Sequence, residues 1–230
     1  MADQVPTLAD FRLHHALRVR WAEVDLQKIV FNPHYLAYVD TAIADYWRAL
    51  ALPYEATLHR LGGDLFVKKS TLEFRASARY DDRLIIALRC ARIGNSSLQF
   101  LSGIFRGNEL LVTAELIYVF ADPKAKTALA LPQPLRTTLL AYEAGQPVVT
   151  TELSAWAQAQ AAVQTLRVPD EFDAAALHCI LRNALGDPVA TARLRAQRQE
   201  PDGVAVMADL RGARWGRAAA ATVLRDKPCF

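Results

Sequence analysis

The most chemically specific stretch of the chain runs Trp21-Ala-Glu-Val-Asp25-Leu-Gln-Lys-Ile-Val30-Phe-Asn-Pro-His-Tyr35. Asn32 and Pro33 have the types expected at an N-cap and the first helical position: Asn accepts an orphan backbone N–H, and Pro brings a preset φ and no donor of its own. Asp25 stands seven positions before Asn32, which keeps its carboxylate near the mouth of that helix. A helix N-terminus has unpaired N–H groups and about half a positive charge, so it can hold an oxygen that becomes negative during reaction. A carboxylate beside it could attack a carbonyl or draw a proton from water. For an activated acyl group such as a thioester, one carboxylate and one oxyanion site form a sufficient apparatus. Type and spacing alone fit a plainer role equally well, because Asp is favoured in turns and at helix caps.

The elements around this segment follow from its periodicities. Residues 11 to 22 alternate, with Leu13, Leu17, Val19 and Trp21 against His14, Arg18 and Arg20, which predicts a half-buried strand. From residue 34 to 50 the period changes, and Leu36, Val39, Ile43, Trp47 and Leu50 form one helical stripe. Beyond Gly62-Gly63, strands are expected over 66–78, 84–93, 98–105 and 110–120. Tyr80-Asp81-Asp82, Gly94-Asn95 and Arg106-Gly107-Asn108 separate them with turn chemistry. Short connections predict an antiparallel meander. Residues 132–142 read as a terminal helix. The economical packing is α+β, a sheet curled around the one long helix.

Composition narrows the function classes. Apolar residues make up 52% of the chain, enough for a buried core, and the net charge of +3 is too small to argue for nucleic acid. Cys90, Cys179 and Cys229 lie far apart, which argues against a disulfide framework or a zinc site and for a reducing compartment, the cytoplasm. No stretch approaches the apolar length of a membrane helix, and the polar N-terminus has no leader-like core.

Residues 17 to 142 resemble the hotdog-fold thioesterases, in the group that contains 4-hydroxybenzoyl-CoA thioesterase and the small Tol-Pal-associated acyl-CoA thioesterases. The resemblance is carried by Trp21, Glu23, Asp25, Ile29-Val30-Phe31 and His34-Tyr35-Leu36. Tyr80-Asp81-Asp82, Gly94-Asn-Ser-Ser97 and Leu131-Pro132 extend it. It implies an antiparallel sheet wrapped around one long helix, and hydrolysis of an acyl-CoA to free acid and CoA. Asp25 would be nucleophile or general base, and the backbone N–H groups of Phe31 and Asn32 would bind the thioester oxygen. Val30, His34, Ser96 and Ser97 would contact substrate. Coenzyme A enters as part of the substrate, with no separate cofactor and no metal. Family enzymes build each site between two protomers, so a homodimer or homotetramer is implied.

Lys28 stands where many members have Gly, a residue suited to positive φ. Gly94-Asn95-Ser96 replaces a basic run that meets nucleotide phosphate in the hydroxybenzoyl-CoA enzyme. Lys68, Lys69 or Arg92 are the substitutes by charge, against the plainer reading of solvated strand lysines. Glu23 is expected to pair with Arg18 or Arg20, Trp21 and Trp47 to sit in the core, and His14-His15 to lie on the surface. His59, beyond the long helix, has no evident partner.

Composition changes around Gly145-Gln-Pro147, which divides the chain into 1–145 and 146–230. Residues 154–163 are Ala- and Gln-rich with good helix propensity. Val168–Asp173, Ala176–His178, Gly186–Leu194, Val204–Met207 and Arg211–Gly216 resemble part of a GNAT acetyltransferase, over 167–224. In that family a strand like 204–207 leads into an Arg-x-x-Gly-x-Gly loop whose amides hold pyrophosphate. Here Arg214 occupies a glycine position of that loop, and the segment is shorter than the family needs. Two alternatives to a thioesterase remain at this point: a non-catalytic acyl-CoA-binding or assembly module, and acetyltransferase activity in the second region. A hotdog dehydratase would have to use His34 as its histidine.

Overall fold

The computed structural model describes residues 5–166, 168–171, 173–199 and 203–211. The chain forms two compact units, Met1–Trp47 with Tyr54–Gly145, and Arg48–Pro53 with Gln146–Phe230.

The first unit begins with strand β1 (Leu13–Arg18) and helix α1 (Pro33–Ala49), followed by a short helix α2 (Tyr54–Arg60). Strands β2 (Asp64–Phe74), β3 (Arg83–Ile93), β4 (Ser97–Arg106) and β5 (Glu109–Ala121) follow, then helix α3 (Gln133–Glu143). All five strands join one antiparallel sheet in the order β1-β3-β4-β5-β2. The alternation in β1 stops at Arg18, earlier than expected, because the backbone turns into a 3-10 segment at Trp21–Glu23. Helix α2 had no counterpart in the periodicity reading.

The expected meander is wrong in one link. β3, β4 and β5 are sequential neighbours, but β2 pairs with β5 at the far edge. The connector after β2 does not close a hairpin because it is held elsewhere. Ala78 C=O accepts the Val30 N–H at 2.9 Å, and Ala78 N–H donates to the Tyr35 hydroxyl at 2.9 Å. Ile29 and Arg79 form a further antiparallel bridge. These bonds satisfy the connector's buried backbone against the helix mouth, in place of a β2–β3 ladder.

Helix α1 buries Tyr35, Tyr38, Val39, Ala42, Ile43, Tyr46 and Trp47. The apolar stripe is therefore as expected at Val39, Ile43 and Trp47, with three tyrosines added. Each tyrosine finds a partner for its hydroxyl: Tyr35 the Ala78 N–H, Tyr38 the Glu23 carboxylate, Tyr46 the Glu143 carboxylate. That pairing is what permits a phenol in the core. Tyr46 stacks edge-on against Phe100 of β4 (5.2 Å) and Tyr142 of α3 (5.1 Å), joining helix, sheet and terminal helix. Glu143 also accepts the Cys90 N–H at 2.8 Å, and burial with this carboxylate pushes the Cys90 thiol up to about 12.

The second unit contains β6 (Val149–Ala155), α4 (Trp156–Leu166), β7 (Leu177–Asn183), β8 (Pro188–Gln199) and β9 (Gly203–Arg211). Its sheet is antiparallel in the order β6-β7-β8-β9. The Ala-rich segment forms α4 and packs Ala159, Ala162 and Val163 on Ile180 of β7. The expected strand 204–207 lies within β9, and residues 212–216 of the expected phosphate loop lie outside the described residues. Among the described residues no helix is long and apolar enough to cross a membrane.

Candidate active site

Asp25 sits at the root of a tight hairpin. Its N–H donates to Ile29 C=O and its C=O accepts the Lys28 N–H, both at 2.9 Å. Val24 and Val30 pair just outside as an antiparallel bridge. Leu26 and Gln27 keep negative φ while Lys28 takes φ 60°. The loop is thus a type I turn followed by one left-handed residue, the position where glycine is the usual choice. Lys28 adopts the glycine-like conformation nonetheless.

The Asp25 carboxylate is half-buried. Its Oδ1 accepts the Gln27 N–H at 2.8 Å, an Asx turn that fixes the side chain. Oδ2 accepts no bond from the described residues. Asp25 borders an open cleft of about 710 Å³, lined also by Trp21, Ala22, Val24, Leu26, Lys28, Phe31, His34 and Tyr80. The walls are largely apolar, and Trp21 meets Tyr80 edge-to-face at 5.4 Å.

Two expectations are corrected at the helix mouth. The Phe31 N–H, assigned with Asn32 to the acyl oxygen, donates to Glu23 C=O at 2.9 Å. The turn at Trp21–Glu23 brings that carbonyl across and takes the donor. The Asn32 N–H bonds no acceptor among the described residues, and Pro33 has none to offer. Trp21, expected in the core, is 74% exposed and forms a cleft wall. The same 3-10 turn breaks the strand alternation that assigned it inward.

Glu23 is not a second reactive carboxylate. It is buried, and its oxygens accept the Arg20 N–H (2.7 Å), the Arg20 Nε (2.7 Å) and the Tyr38 hydroxyl (2.8 Å). Burial alone would raise its pKa, but these donors together hold it below the ordinary carboxylate range. The expected salt bridge to Arg20 is the one formed, while Arg18 pairs with Asp81 at 2.6 Å. His34 lines the cleft, half-buried, beside Phe31.

Other expected contacts lie away from Asp25 within one chain. Val30 is buried, with its N–H on Ala78, and does not line the cleft. Ser96 lies in the β3–β4 turn and Ser97 opens β4, both beyond Ile93, whereas the Asp25 loop is near the Arg83 end of β3. The eleven residues of β3 put roughly 33 Å between those ends. The serine loop has a structural occupation: Ser97 C=O accepts the Gly94 N–H, and Arg136 of α3 donates to the Gly94 and Ile93 carbonyls. Lys68 and Lys69 sit at a bulge of β2, in the half of the sheet nearer Ile93. Lys69 pairs with Glu115 at 3.1 Å. Tyr80, a cleft wall missed by sequence reasoning, gave only a turn signal. Among the described residues no cluster of three or more His, Cys, Asp or Glu could hold a metal.

The thioesterase superfamily profile matches residues 27–113. The acyl-CoA thioester hydrolase YbgC from Escherichia coli O157:H7 is 30% identical over 118 residues, 51% of this chain and 87% of that protein. The same figures hold for YbgC of Shigella flexneri. Among solved structures, the PA5185 protein of Pseudomonas aeruginosa aligns at 26% identity and TM-score 0.52, covering 62% of this chain and 99% of that one. The 1,4-dihydroxy-2-naphthoyl-CoA thioesterase Slr0204 of Synechocystis aligns at 19% and TM-score 0.52, covering 55% and 94%, a likeness of fold. With a YbgC relative covered over most of its length, the first unit is a hotdog-type α+β domain and the chain belongs to the thioesterase superfamily.

Proposed function

We propose that the first unit hydrolyses acyl-CoA thioesters, with Asp25 as the reacting carboxylate and the Asn32 N–H as oxyanion donor. The observation that carries this reading is the fixed Asp25 side chain on the cleft wall, with Oδ1 on the Gln27 N–H and Oδ2 unengaged by the described residues. Superfamily membership supports the reaction class, and the names of the YbgC relatives support an acyl-CoA substrate. In the base route Asp25 takes a proton from water as the oxygen adds to the thioester carbon. The carbonyl oxygen gains charge near the positive end of α1. The C–S bond then breaks, and the departing CoA thiolate is protonated. In the nucleophile route Oδ2 adds instead, and water cleaves the resulting anhydride. Label found in Asp25 after single turnover in heavy-oxygen water identifies the nucleophile route with water attacking the aspartyl carbonyl, because the base route places the water oxygen in the acid product alone. Release of CoA from a panel of short, long and aromatic acyl-CoAs tests the activity itself, and silence on all of them sinks it.

In this reading the working species is a homo-oligomer. The outer edge of β2 is unpaired among the described residues, and Phe66, Val67 and Phe74 are exposed along it. A second copy on that edge would cover them. It would also supply its own Lys68, Ser96 and Ser97 as candidates for the CoA arm. Light scattering on the full chain tests this, and a monomer at assay concentration ends it. Cys90 is a buried thiol, which fits a reducing compartment, and we take that compartment to be the cytoplasm.

A second reading concerns the second unit. Its sheet of four antiparallel strands has β9 at one edge, and β9 carries Arg211, the first residue of the Arg211–Gly216 stretch. We infer that it is an acetyltransferase-like region that binds coenzyme A. Hydrogen exchange on the full chain with acetyl-CoA tests this. Absence of protection across 203–216 removes it.

A further inference from the structure

Resting on the thioesterase reading, we propose that Lys28 is the residue that receives an anionic group of the substrate. It would thereby set which thioesters bind. Lys28 is held at φ 60° by the two hydrogen bonds that close the Asp25 hairpin. A left-handed lysine is disfavoured, and glycine would fit there without cost. Strained residues of this kind persist where the surroundings enforce them, and they concentrate at ligand sites.

The charges around the cleft give the second argument. Glu23 is paired with Arg20, Arg18 with Asp81, and Arg106 with Asp82 and Glu109. Of the residues that line the cleft, Asp25 is the one carboxylic side chain and Lys28 the one amine. Lys28 is exposed and forms no ion pair with a described residue. The walls are otherwise aromatic and aliphatic, from Trp21, Leu26, Phe31 and Tyr80. A cation carried on a fixed backbone three residues from the reacting carboxylate, among apolar surfaces, suits a thioester that carries its own negative group. Binding would exclude water from that pair and strengthen it relative to an open surface pair. The anion has two possible sources, a carboxylate on the acyl chain or a phosphate of coenzyme A.

The test uses the full-length protein with butyryl-CoA, succinyl-CoA and the matching pantetheine thioesters, which lack the phosphates. Lys28→Gln removes the charge and keeps an unbranched side chain at the same φ. Lys28→Arg restores the charge. If the acyl carboxylate is the ligand, wild type prefers succinyl over butyryl thioesters by about tenfold in KM, and Lys28→Gln abolishes the preference. If phosphate is the ligand, wild type prefers the CoA over the pantetheine thioesters, and Lys28→Gln abolishes that instead. In both cases Lys28→Arg rescues and the effect falls on KM, rather than on kcat. Equal KM values for wild type and Lys28→Gln on all four substrates overturn the proposal while leaving the thioesterase reading intact. If wild type turns over none of them, calorimetric titration with CoA and with succinyl-CoA decides for Lys28, while the wider acyl-CoA panel decides the thioesterase reading. Equal binding, or none, by wild type and Lys28→Gln overturns it.

Discussion

The Tyr35 hydroxyl accepts the backbone N–H of Ala78 at 2.9 Å, tying the first turn of α1 to the connector that carries Tyr80. Ala78 C=O in turn receives the Val30 N–H. One phenol thus links the helix mouth, the end of the Asp25 loop and the aromatic wall opposite. Tyr35→Phe removes the acceptor and leaves a buried N–H unpaired, which costs about 1–3 kcal/mol. Denaturant midpoints would show the loss. Steady-state kinetics are expected to show a raised KM, because the Tyr80 wall loses its anchor.

For Asp25 the expected separation is between activity and stability. Asp25→Asn retains an oxygen that can accept the Gln27 N–H, so the melting temperature should stay near that of wild type. Loss of the reacting carboxylate should lower kcat by at least about a hundredfold. CoA release and thermal melts on the same preparations check both halves. Full activity in Asp25→Asn removes Asp25 from the mechanism.

Lys28→Gly relieves the left-handed conformation. The gain is about 1 kcal/mol, since a non-glycine residue there costs 1–2 kcal/mol and glycine returns part of this as unfolded-state entropy. Lys28→Gln keeps the strain and should leave stability within about 0.5 kcal/mol of wild type. Equilibrium unfolding of the pair isolates backbone strain from charge.

Acid should weaken the fold partly through Glu23. Its pKa in the folded protein lies below the unfolded value. The stabilisation is therefore complete above the unfolded value and is lost as pH falls through the folded one. Glu23→Gln should be less stable than wild type at pH 7, by about 2 kcal/mol for a pair whose arginine is largely exposed. The gap should narrow toward pH 3. A gap that stays constant between pH 7 and pH 3 would show that the Arg20 and Tyr38 contacts act through shape alone.

Much of the first unit is legible in local pattern. Alternation marks the strand before Trp21, the three-four spacing of Val39, Ile43 and Trp47 marks the long helix, and Asn32-Pro33 marks its start. These signals are local because hydrogen bonding and burial repeat with the period of each element. The buried tyrosines were less legible: a phenol enters a core only where a distant group takes its hydroxyl, and sequence does not display Ala78 or Glu143 as partners.

The residue types around Asp25, and the departure at Lys28, were determined by the sequence itself. Tertiary structure decided what each backbone donor does. The Phe31 N–H is consumed by Glu23 C=O, and Trp21 faces outward, because a 3-10 turn interrupts the alternation at Arg20. The place of β2 at the sheet edge, and of Tyr80 at the cleft, depended on long-range bonds to Val30 and Tyr35. Period and propensity are properties of neighbours along the chain. Which carbonyl captures which N–H is settled only when segments fifty residues apart compete for the same buried partner.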